Sequence, residues 1–271
     1  MATAYPSFTS PPVVETVLGV TFEPLPQWSF VHYGLLWQEI QRDYPRYELQ
    51  APLAPVLESD GPSAFAPRQL RLRVEPSPQI RAWFLTDDGE RLLQVQEDRF
   101  IQNWRKASPD SAYPRYERLR PAFEEEWKRY LAFLCANRVG QPRIVQAEVT
   151  YVNHIERGTL WNSFDDVGRL FAFWRSAPAQ SGFVGAAESG AAHVQFVMPE
   201  GGGRLHVALQ HVLRNTDGKE LLQLTLTARG CPKSSSLEDL LAWFDIGREW
   251  VVRGFADVTT ETAHTVWGRE A

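Results

Sequence analysis

Residues 80–105 read IRAWFLTDDGERLLQVQEDRFIQNWR, and their pattern is the strongest indication of a β-sheet in the chain. Apolar and polar residues alternate on both sides of a short acidic turn, and a period of two is typical of half-buried strands. The turn Asp87-Asp88-Gly89 favours a hairpin, because Asp-Gly suits the backbone angles of tight turns. The stretch therefore predicts three consecutive strands, at Ile80–Thr86, Glu90–Gln96 and Phe100–Arg105.

The segments around this stretch complete a first set of elements. A β-branched run at Val13–Phe22 predicts a strand, and Ser29 is placed to cap the helix that follows. Residues 50–67 carry four prolines and predict a long surface loop. An alternating strand at Leu70–Val74 comes next, and a helix with an aromatic stripe is predicted from Leu119 to Asn137.

The same order of elements begins again near Gly140. Strands are predicted at 143–155, 183–187, 192–198, 204–211 and 221–229, and helices at 165–175 and 237–258, with a last short helix reaching Trp267. Each half therefore reads β-α-β-β-β-β-α, a repeat of pattern without residue-level identity. We divide the chain into a polar tail (1–11), a first half (12–139) and a second half (140–271).

The predicted fold class is α+β, with two β-α-β4-α halves sharing a curved antiparallel sheet that has helices on one side. This element order resembles the repeat of the TATA-binding-protein-like fold, which implies two halves joined through their strands. An alternative is a helix-grip domain, in which the long C-terminal helix lies across a curved sheet. That alternative predicts an apolar cavity lined by Phe244, Trp250 and Phe255.

Composition excludes several classes of protein. Hydrophobic residues make up 44% of the 271 residues and charged residues 23%, which is typical of a globular chain. No apolar run is long enough to span a bilayer, residues 1–10 lack the features of a secretory signal, and Cys135 and Cys231 stand alone. We therefore expect a cytoplasmic protein with no cofactor, no disulfide framework and no membrane partner.

Known catalytic motifs are absent from the sequence: there is no G-x-S-x-G elbow, no P-loop and no H-E-x-x-H. Gly201, Gly202 and Gly203 lie between two predicted strands, so they indicate a hairpin turn and not a phosphate-binding loop. A hydrolase or nuclease would have to draw on distant acids such as Glu97, Asp98 or Glu148. The sequence leaves enzymatic activity uncertain and favours a protein without it.

The histidines do not show the spacing of a metal site. His206 and His211 are five residues apart on a predicted strand, so their side chains point to opposite faces. The predicted hairpin pairs His193 with Leu209, and His206 with Phe196. We therefore expect no metal.

Strand parity predicts which side chains lie on the face away from the helices: Arg71, Arg73, Trp83, Asn103, Arg105, Gln195, His206, Gln210 and Gln223. Such a face could bind a partner protein or single-stranded nucleic acid. The alternative is a structural face partly covered by the 50–67 loop. The segment Arg99–Arg120 has six basic and two acidic residues, a local charge of +4 in a chain of net charge −5. This excess indicates either a nucleic-acid contact or a solvated surface balanced by acids elsewhere.

Several short segments carry a resemblance that spans nearly the whole chain. They are Pro12-Val13-Val14-Glu15, Asp98-Arg99-Phe100, Asn103-Trp104-Arg105, Tyr113-Pro114-Arg115-Tyr116, Tyr151-Val152-Asn153-His154-Ile155 and Trp267-Gly268-Arg269. Through them the chain resembles a sporadically distributed family of uncharacterised bacterial proteins of similar length. The resemblance implies no activity or cofactor. A sporadic distribution implies horizontal transfer, which is common among accessory and defence genes.

We select eight candidate binding residues from these segments: Arg99, Asn103, Trp104, Arg105, Arg115, Tyr116, Asn153 and His154. The first hypothesis is a non-enzymatic module that recognises a partner protein or self-associates, as a component of an accessory or antiphage-defence system. The second is binding of single-stranded nucleic acid. The third is a hydrolase or nuclease whose site the sequence does not reveal.

Overall fold

The computed structural model describes residues 5–54, 56–58, 80–174, 183, 185, 187–199 and 202–270. In these ranges the chain forms nine strands and five helices. The strands are β1 (Val13–Phe22), β2 (Arg46–Gln50), β3 (Arg81–Leu85), β4 (Arg91–Gln96), β5 (Arg99–Arg105), β6 (Ile144–Glu156), β7 (Ala191–Met198), β8 (Gly203–Leu213) and β9 (Glu220–Gly230). The helices are α1 (Phe30–Ile40), α2 (Tyr116–Ala136), α3 (Val167–Leu170), α4 (Leu237–Val258) and α5 (Glu261–Trp267).

All nine strands belong to one antiparallel sheet, in the order β2-β3-β4-β5-β1-β6-β9-β8-β7. The long strands β1 and β6 are neighbours near its middle and pair from Val13↔Asn153 to Phe22↔Ile144. The α+β class and the antiparallel sheet expected from the sequence are confirmed.

The stretch that predicted the sheet forms β3, β4 and β5 in the expected antiparallel pairing. In the turn between β3 and β4, the Thr86 hydroxyl donates to Asp88, and the Gly89 amide donates to the Thr86 carbonyl. Gly89 has a φ of 71°, which glycine adopts with little strain. The Asp-Gly signal therefore identified this turn correctly.

One face of the sheet is covered by α2 and α4. Phe100 of β5 lies 4.9 Å from the ring of Tyr130 and 5.4 Å from that of Trp127, both on α2. The two helices meet where Phe123 packs edge-on against Phe244, and α4 packs on β6, β8 and β9. Burial of these large aromatic side chains is the main apolar contribution to the core.

The opposite face, which we call the polar face, carries the residues that strand parity predicted. Trp83 and Asn103 are linked there through Gln94, and His206 and Gln210 lie on the same side of β8. The Asn103 amide donates to Glu15 at 2.6 Å, and Thr150 and Thr227 bond to each other at 2.8 Å. Arg71 and Arg73, which were predicted on this face, lie outside the described residues.

Several elements differ from the sequence-based expectation. β2 was not predicted, because Pro45 and a polar strand (RYELQ) gave no alternating apolar signal. In place of the helix expected at 165–175, the structure has a 3-10 turn at Phe164–Asp166 followed by the short helix α3. The helix ends there because Phe171 has an extended backbone and forms a β-bridge with Thr259. Described residues 183, 185 and 187 are not in a strand, and the strand expected at Leu70–Val74 lies outside the described ranges.

Residues 5–11, expected to be a polar tail, pack against the C-terminal residues. Thr9 and Ser10 donate backbone hydrogen bonds to Gly268 and Trp267, and Glu270 donates one to Ser7. Phe8 is 5% exposed and packs edge-on against Phe255 of α4. The N-terminal segment is therefore part of the packed structure. Within the described ranges, none of the helices combines the length and apolar composition that crossing a membrane requires.

Two glycines allow a matched test of backbone packing. Gly203 and Gly218 have φ values of 112° and 71°. A side chain at Gly203 would collide with the Arg229 backbone on β9, whereas Gly218 faces open space. Gly218→Ala should lower the free energy of unfolding by about 1–2 kcal/mol through backbone strain alone. Gly203→Ala should cost about 2–5 kcal/mol, because overpacking adds to that strain. Chemical denaturation checks both, and equal losses would show that β8 relaxes around the extra methyl group.

Candidate functional site

A cavity of about 690 Å³ lies on the helix-covered side, where the central strand pair ends. Its walls come from the N-terminal segment, the start of α2, the β1–β6 pair and the middle of α4. The lining residues used below are Tyr5, Phe8, Val13, Tyr113, Arg115, Tyr116, Glu117, Tyr151, Asn153, Arg248, Val252 and Phe255. The volume lies in the range of ligand pockets, and the walls are mostly aromatic and aliphatic.

An irregularity in the strand pairing opens this end of the sheet. Val13 pairs with Asn153 and Glu15 with Val152, so one extra residue of β1 stands between them. The extra residue, Val14, accepts a hydrogen bond from the Lys106 amide beyond the end of β5. Bulges of this kind re-aim side chains and are common beside binding sites. Here Val13 and Asn153 both line the cavity, and the Asn153 amide donates to the Leu224 carbonyl.

Arg115 connects the start of α2 to the N-terminal segment. Its φ of 64° is unusual for a residue other than glycine, and it turns the chain into the helix. The guanidinium donates to the Phe8 carbonyl at 2.8 Å and lies over the Tyr113 ring, 5.3 Å from its centroid. Arg115 thereby fixes two walls of the cavity relative to each other.

Arg248 of α4 crosses one side of the cavity between two tyrosine rings. Its guanidinium carbon lies 4.4 Å from the centroid of Tyr5 and 5.2 Å from that of Tyr116, in cation–π geometry. One terminal nitrogen donates to Glu117 at 2.9 Å. The Nε atom is buried and has no hydrogen-bond partner among the described residues.

Tyr151 contributes a second buried donor. The residue is 9% exposed, and its hydroxyl makes no hydrogen bond of ordinary geometry within the described part of the chain. Burial raises the pKa of Tyr151, and the neighbouring Tyr113 and Arg248 oppose that rise only in part. The pKa of Tyr116 is also raised by burial and by its bond to the Asp245 carboxylate, so both hydroxyls stay protonated at neutral pH.

Three of the eight sequence-predicted site residues meet at this cavity: Arg115, Tyr116 and Asn153. A fourth, Trp104, lies behind its wall with its ring 5.4 Å from that of Tyr113. These residues come from separate segments of the chain, and the fold brings them together.

The other four predicted residues lie on the polar face. Arg99 donates to the Ala54 carbonyl, and Asn103 is 3% exposed between Gln94 and Glu15. The Arg105 guanidinium lies 5.5 Å from the Trp83 ring, and His154 bonds Gln223 across the β6–β9 pair. These bonds satisfy neighbouring polar groups within the sheet.

A segment before β3 covers part of the polar face; we call residues 51–54 and 56–58 the covering segment. Two glutamine side chains hydrogen-bond to its backbone. Gln96 accepts from the Leu53 amide and donates to the Leu53 carbonyl, and Gln146 accepts from the Glu58 amide and donates to the Val56 carbonyl. The Glu58 side chain then reaches Arg204 and His206 on β8. The alternative interpretation, a face partly covered by this loop, therefore applies to the described residues.

The basic residues between Arg99 and Arg120 do not form one patch. Arg99 and Arg105 face the covering segment and Trp83, whereas Arg115 faces the cavity. Arg120 forms two hydrogen bonds with Asp245 of α4. The sequence cluster is thus divided between two faces of the molecule.

The expected hairpin register at the histidines was wrong by one residue. His193 pairs with Ala208, and His206 with Gln195. The two imidazoles consequently lie close together and nearly parallel, 5.6 Å between centroids. Across the described residues, no group of three or more His, Cys, Asp or Glu side chains has the proximity that a metal site needs.

Sequence reasoning missed Tyr5, Phe8 and Arg248 as site residues. Phe8 and Tyr5 were assigned to a tail, and Arg248 is one of several polar positions on a long amphipathic helix. The available signal was the combination of tyrosine with arginine in Tyr113-Pro114-Arg115-Tyr116.

Comparison with protein-family models, curated proteins and solved structures finds no match to this chain. The two resemblances drawn from the sequence, to a sporadic bacterial family and to the TATA-binding-protein-like fold, therefore remain predictions.

The buried Asn103–Glu15 pair makes a pH-dependent prediction. Burial raises the pKa of Glu15, and the bonds from Asn103 and the charge of Arg105 partly offset that rise. A carboxyl whose pKa is higher in the folded state loses stabilising free energy as pH rises through that value. Asn103→Ala removes the hydrogen bond that stabilises the Glu15 carboxylate, so it should lower the free energy of unfolding by about 2 kcal/mol near neutral pH. The loss should be smaller below about pH 3.5, where Glu15 is largely protonated in both states.

Denaturant unfolding of Asn103→Ala at both pH values measures this difference. The double variant Glu15→Gln with Asn103→Ala is the control, because it removes the buried charge and should show little pH dependence. An equal loss at both pH values would mean that Asn103 acts only through packing.

Proposed function

We propose that the protein is a non-enzymatic binding module that recognises a partner protein, and that the cavity receives a chemical group of that partner. The observation that carries this proposal is the cavity itself, with mostly aromatic and aliphatic walls and the Arg248 guanidinium along one side. Apolar walls with a few directed polar groups are the usual composition of a recognition pocket.

The positions of the candidate catalytic acids support a binding function over hydrolysis. Glu148 pairs with Arg229 at 2.9 Å, and Asp98 accepts from Gln96 beside Arg99. Both lie on the polar face, away from the cavity. The polar side chains that line the cavity include tyrosines, arginines and an amide, which supply directed hydrogen bonds and apolar contact area, and two carboxylates, Glu117 and Glu270.

Exposed apolar side chains support a macromolecular partner. Phe30 and Val31 at the start of α1 are 61% and 63% exposed, and Tyr47 and Leu49 on β2 are each more than half exposed. Neighbouring apolar residues of this size at a surface are typical of protein interfaces, including self-association. A role in an accessory or antiphage-defence system rests on the family resemblance alone.

Blocking the cavity tests this proposal. Val252→Trp places a large ring in the cavity from α4, so it should abolish stoichiometric capture of a protein partner from the native host. Ile246→Trp is the matched control, because Ile246 lies on the same helix, is 44% exposed and does not line the cavity. Captured chains are identified by mass spectrometry, with thermal unfolding to verify both folds. Equal capture by the two variants would exclude the cavity as the partner site.

A second candidate function, binding of single-stranded nucleic acid, is favoured by one arrangement on the polar face. Trp83 lies between Arg81 and Arg105, whose guanidinium carbons are 5.4 and 5.5 Å from the ring centroid. An aromatic ring flanked by arginines can stack on a base. The same purification tests this function through the ratio of absorbance at 260 nm to that at 280 nm, which is high when nucleic acid co-purifies. A high ratio that is lost in Trp83→Ala and kept in Val252→Trp would favour this function.

We also infer that the chain consists of two halves of related topology, as the sequence pattern predicted. The support is the strand order, which reads outward from the centre as β1-β5-β4-β3-β2 on one side and β6-β9-β8-β7 on the other. Each side is followed by a long helix, α2 or α4, and these helices contact each other.

Splitting the chain tests this division. Fragments ending at Val139 and beginning at Gly140 should each fold poorly alone, because β1 and β6 would lose their shared pairing. Co-expression should restore one complex, measured by size-exclusion chromatography and circular dichroism. Two fragments that each fold as stable monomers would instead indicate independent domains.

A further inference from the structure

The covering segment crosses the polar face, and side chains of four strands hydrogen-bond to it. The contacts begin at Gln96 on β4 and Arg99 on β5, continue at Gln146 on β6 and end at Arg204 and His206 on β8. They follow the order of these strands in the sheet. None of the described residues of the covering segment belongs to a strand. The polar face therefore holds a stretch of chain that is not part of the sheet.

Two glutamines contact main-chain groups of the covering segment and not its side chains. Gln96 pairs with both the amide and the carbonyl of Leu53, at 2.9 and 3.3 Å. Gln146 pairs with the Glu58 amide and the Val56 carbonyl, both at 2.8 Å. A side-chain amide carries both a donor and an acceptor, so it can pair with the two kinds of main-chain group in any peptide. These contacts therefore do not depend on the sequence of the bound chain.

Glu58 supplies a contact that does depend on sequence. One oxygen of its carboxylate pairs with His206, and the other accepts from Arg204 at 3.0 Å. The three side chains are only 11–15% exposed, and a charge-assisted hydrogen bond is stronger when it is partly shielded from water. Burial alone would raise the pKa of Glu58, but the bonds from His206 and Arg204 outweigh it and hold the pKa below its ordinary value. This end of the polar face therefore favours a carboxylate.

Apolar packing contributes little to the position of the covering segment. Val56 and Leu57 are 43% and 54% exposed, and Ala51, Pro52 and Ala54 are exposed as well. The hydrogen bonds to its main chain have a small net effect on stability, because water can replace them. A peptide that offers the same main-chain groups and a carboxylate can therefore displace the segment. It has to compete with a sequence that is tethered to its site and has a high effective concentration.

We propose that the polar face is a second recognition site, separate from the cavity, for an acidic segment of a partner protein. The covering segment occupies this site within the same chain and is an autoinhibitory substitute for the partner. The partner segment places a glutamate or aspartate between Arg204 and His206 and pairs its main chain with Gln96 and Gln146. A peptide fits better than a nucleic acid, since the glutamines are placed to pair with N–H and C=O groups of a main chain.

Peptide binding by Glu58→Gln tests this inference on the full chain. The substitution removes the carboxylate that anchors the covering segment and leaves the strands of the polar face unchanged. The probe is a fluorescein-labelled peptide with the sequence of residues 50–59, QAPLAPVLES, and fluorescence anisotropy measures its binding. Glu58→Gln should bind this probe about tenfold tighter than the unmodified protein, because the internal competitor is weaker. A loss of folded protein would not produce such a gain, and circular dichroism verifies the fold.

Glu125→Gln is the matched control. It removes one negative charge from an exposed position of α2, on the other side of the sheet, so it should bind the probe as the unmodified protein does. A second probe, with glutamine in place of its glutamate, should bind Glu58→Gln about tenfold more weakly than the first. Adding Arg204→Gln to Glu58→Gln should weaken the acidic probe by a similar factor and leave the glutamine probe unchanged.

Equal affinity of Glu58→Gln and Glu125→Gln for the acidic probe would mean that the covering segment is a fixed part of the fold, and the inference would fail. Equal binding of the two probes would overturn the carboxylate assignment. Tighter binding of a labelled oligothymidine than of the acidic probe would assign the face to nucleic acid instead. If the unmodified protein is a dimer that excess probe separates, the occupant is the covering segment of a second copy and not a partner protein. Capture through the cavity is measured separately with Val252→Trp, so the proposed function can stand when this inference fails.

Discussion

The pairing of β1 with β6 joins the two parts of the sheet into one. Antiparallel pairing from Val13↔Asn153 to Phe22↔Ile144 joins the strands of the first half to those of the second. Because side chains alternate along a strand, this single register decides which residues of the neighbouring strands face α2 and α4. A shift by one position would exchange the aromatic core positions, such as Phe22 and Phe100, with polar positions such as Thr21 and Arg99. The contact between Phe123 and Phe244 reinforces the same junction from the helix side.

The two faces of the sheet are stabilised by different interactions. The helix-covered face excludes water through aromatic packing, whereas the polar face pairs amides, carboxylates and arginines with one another and with the covering segment. The cavity forms where the central pair ends at its bulge, because neither regular strand pairing nor helix packing fills that corner. Tyrosines suit this position, since each provides an apolar ring for the wall and a hydroxyl that can form hydrogen bonds.

Much of this architecture could be predicted from sequence, and the exceptions have physical causes. Alternation and turn chemistry identified β3, β4, β5 and the long helix α4, and parity placed Trp83, Asn103 and His206 on the correct face. β2 was missed because an exposed strand has no apolar alternation, and the His193 register was missed because pairing depends on the turn geometry. For the cavity, Arg115, Tyr116 and Asn153 were named from short motifs. Arg248 and Phe8 could not be, because only the tertiary fold brings them to the same place.

The hydrogen bonds between residues 7–10 and 267–270 have a consequence for how the protein is made. Thr9 and Gly268 are separated by 259 positions in sequence, so this contact closes a very long loop. During synthesis on the ribosome, the wall that Tyr5 and Phe8 provide must wait for α5 to emerge. The sheet can begin to assemble earlier, from contacts of shorter range. The walls of this cavity are therefore complete only after the sheet has begun to form.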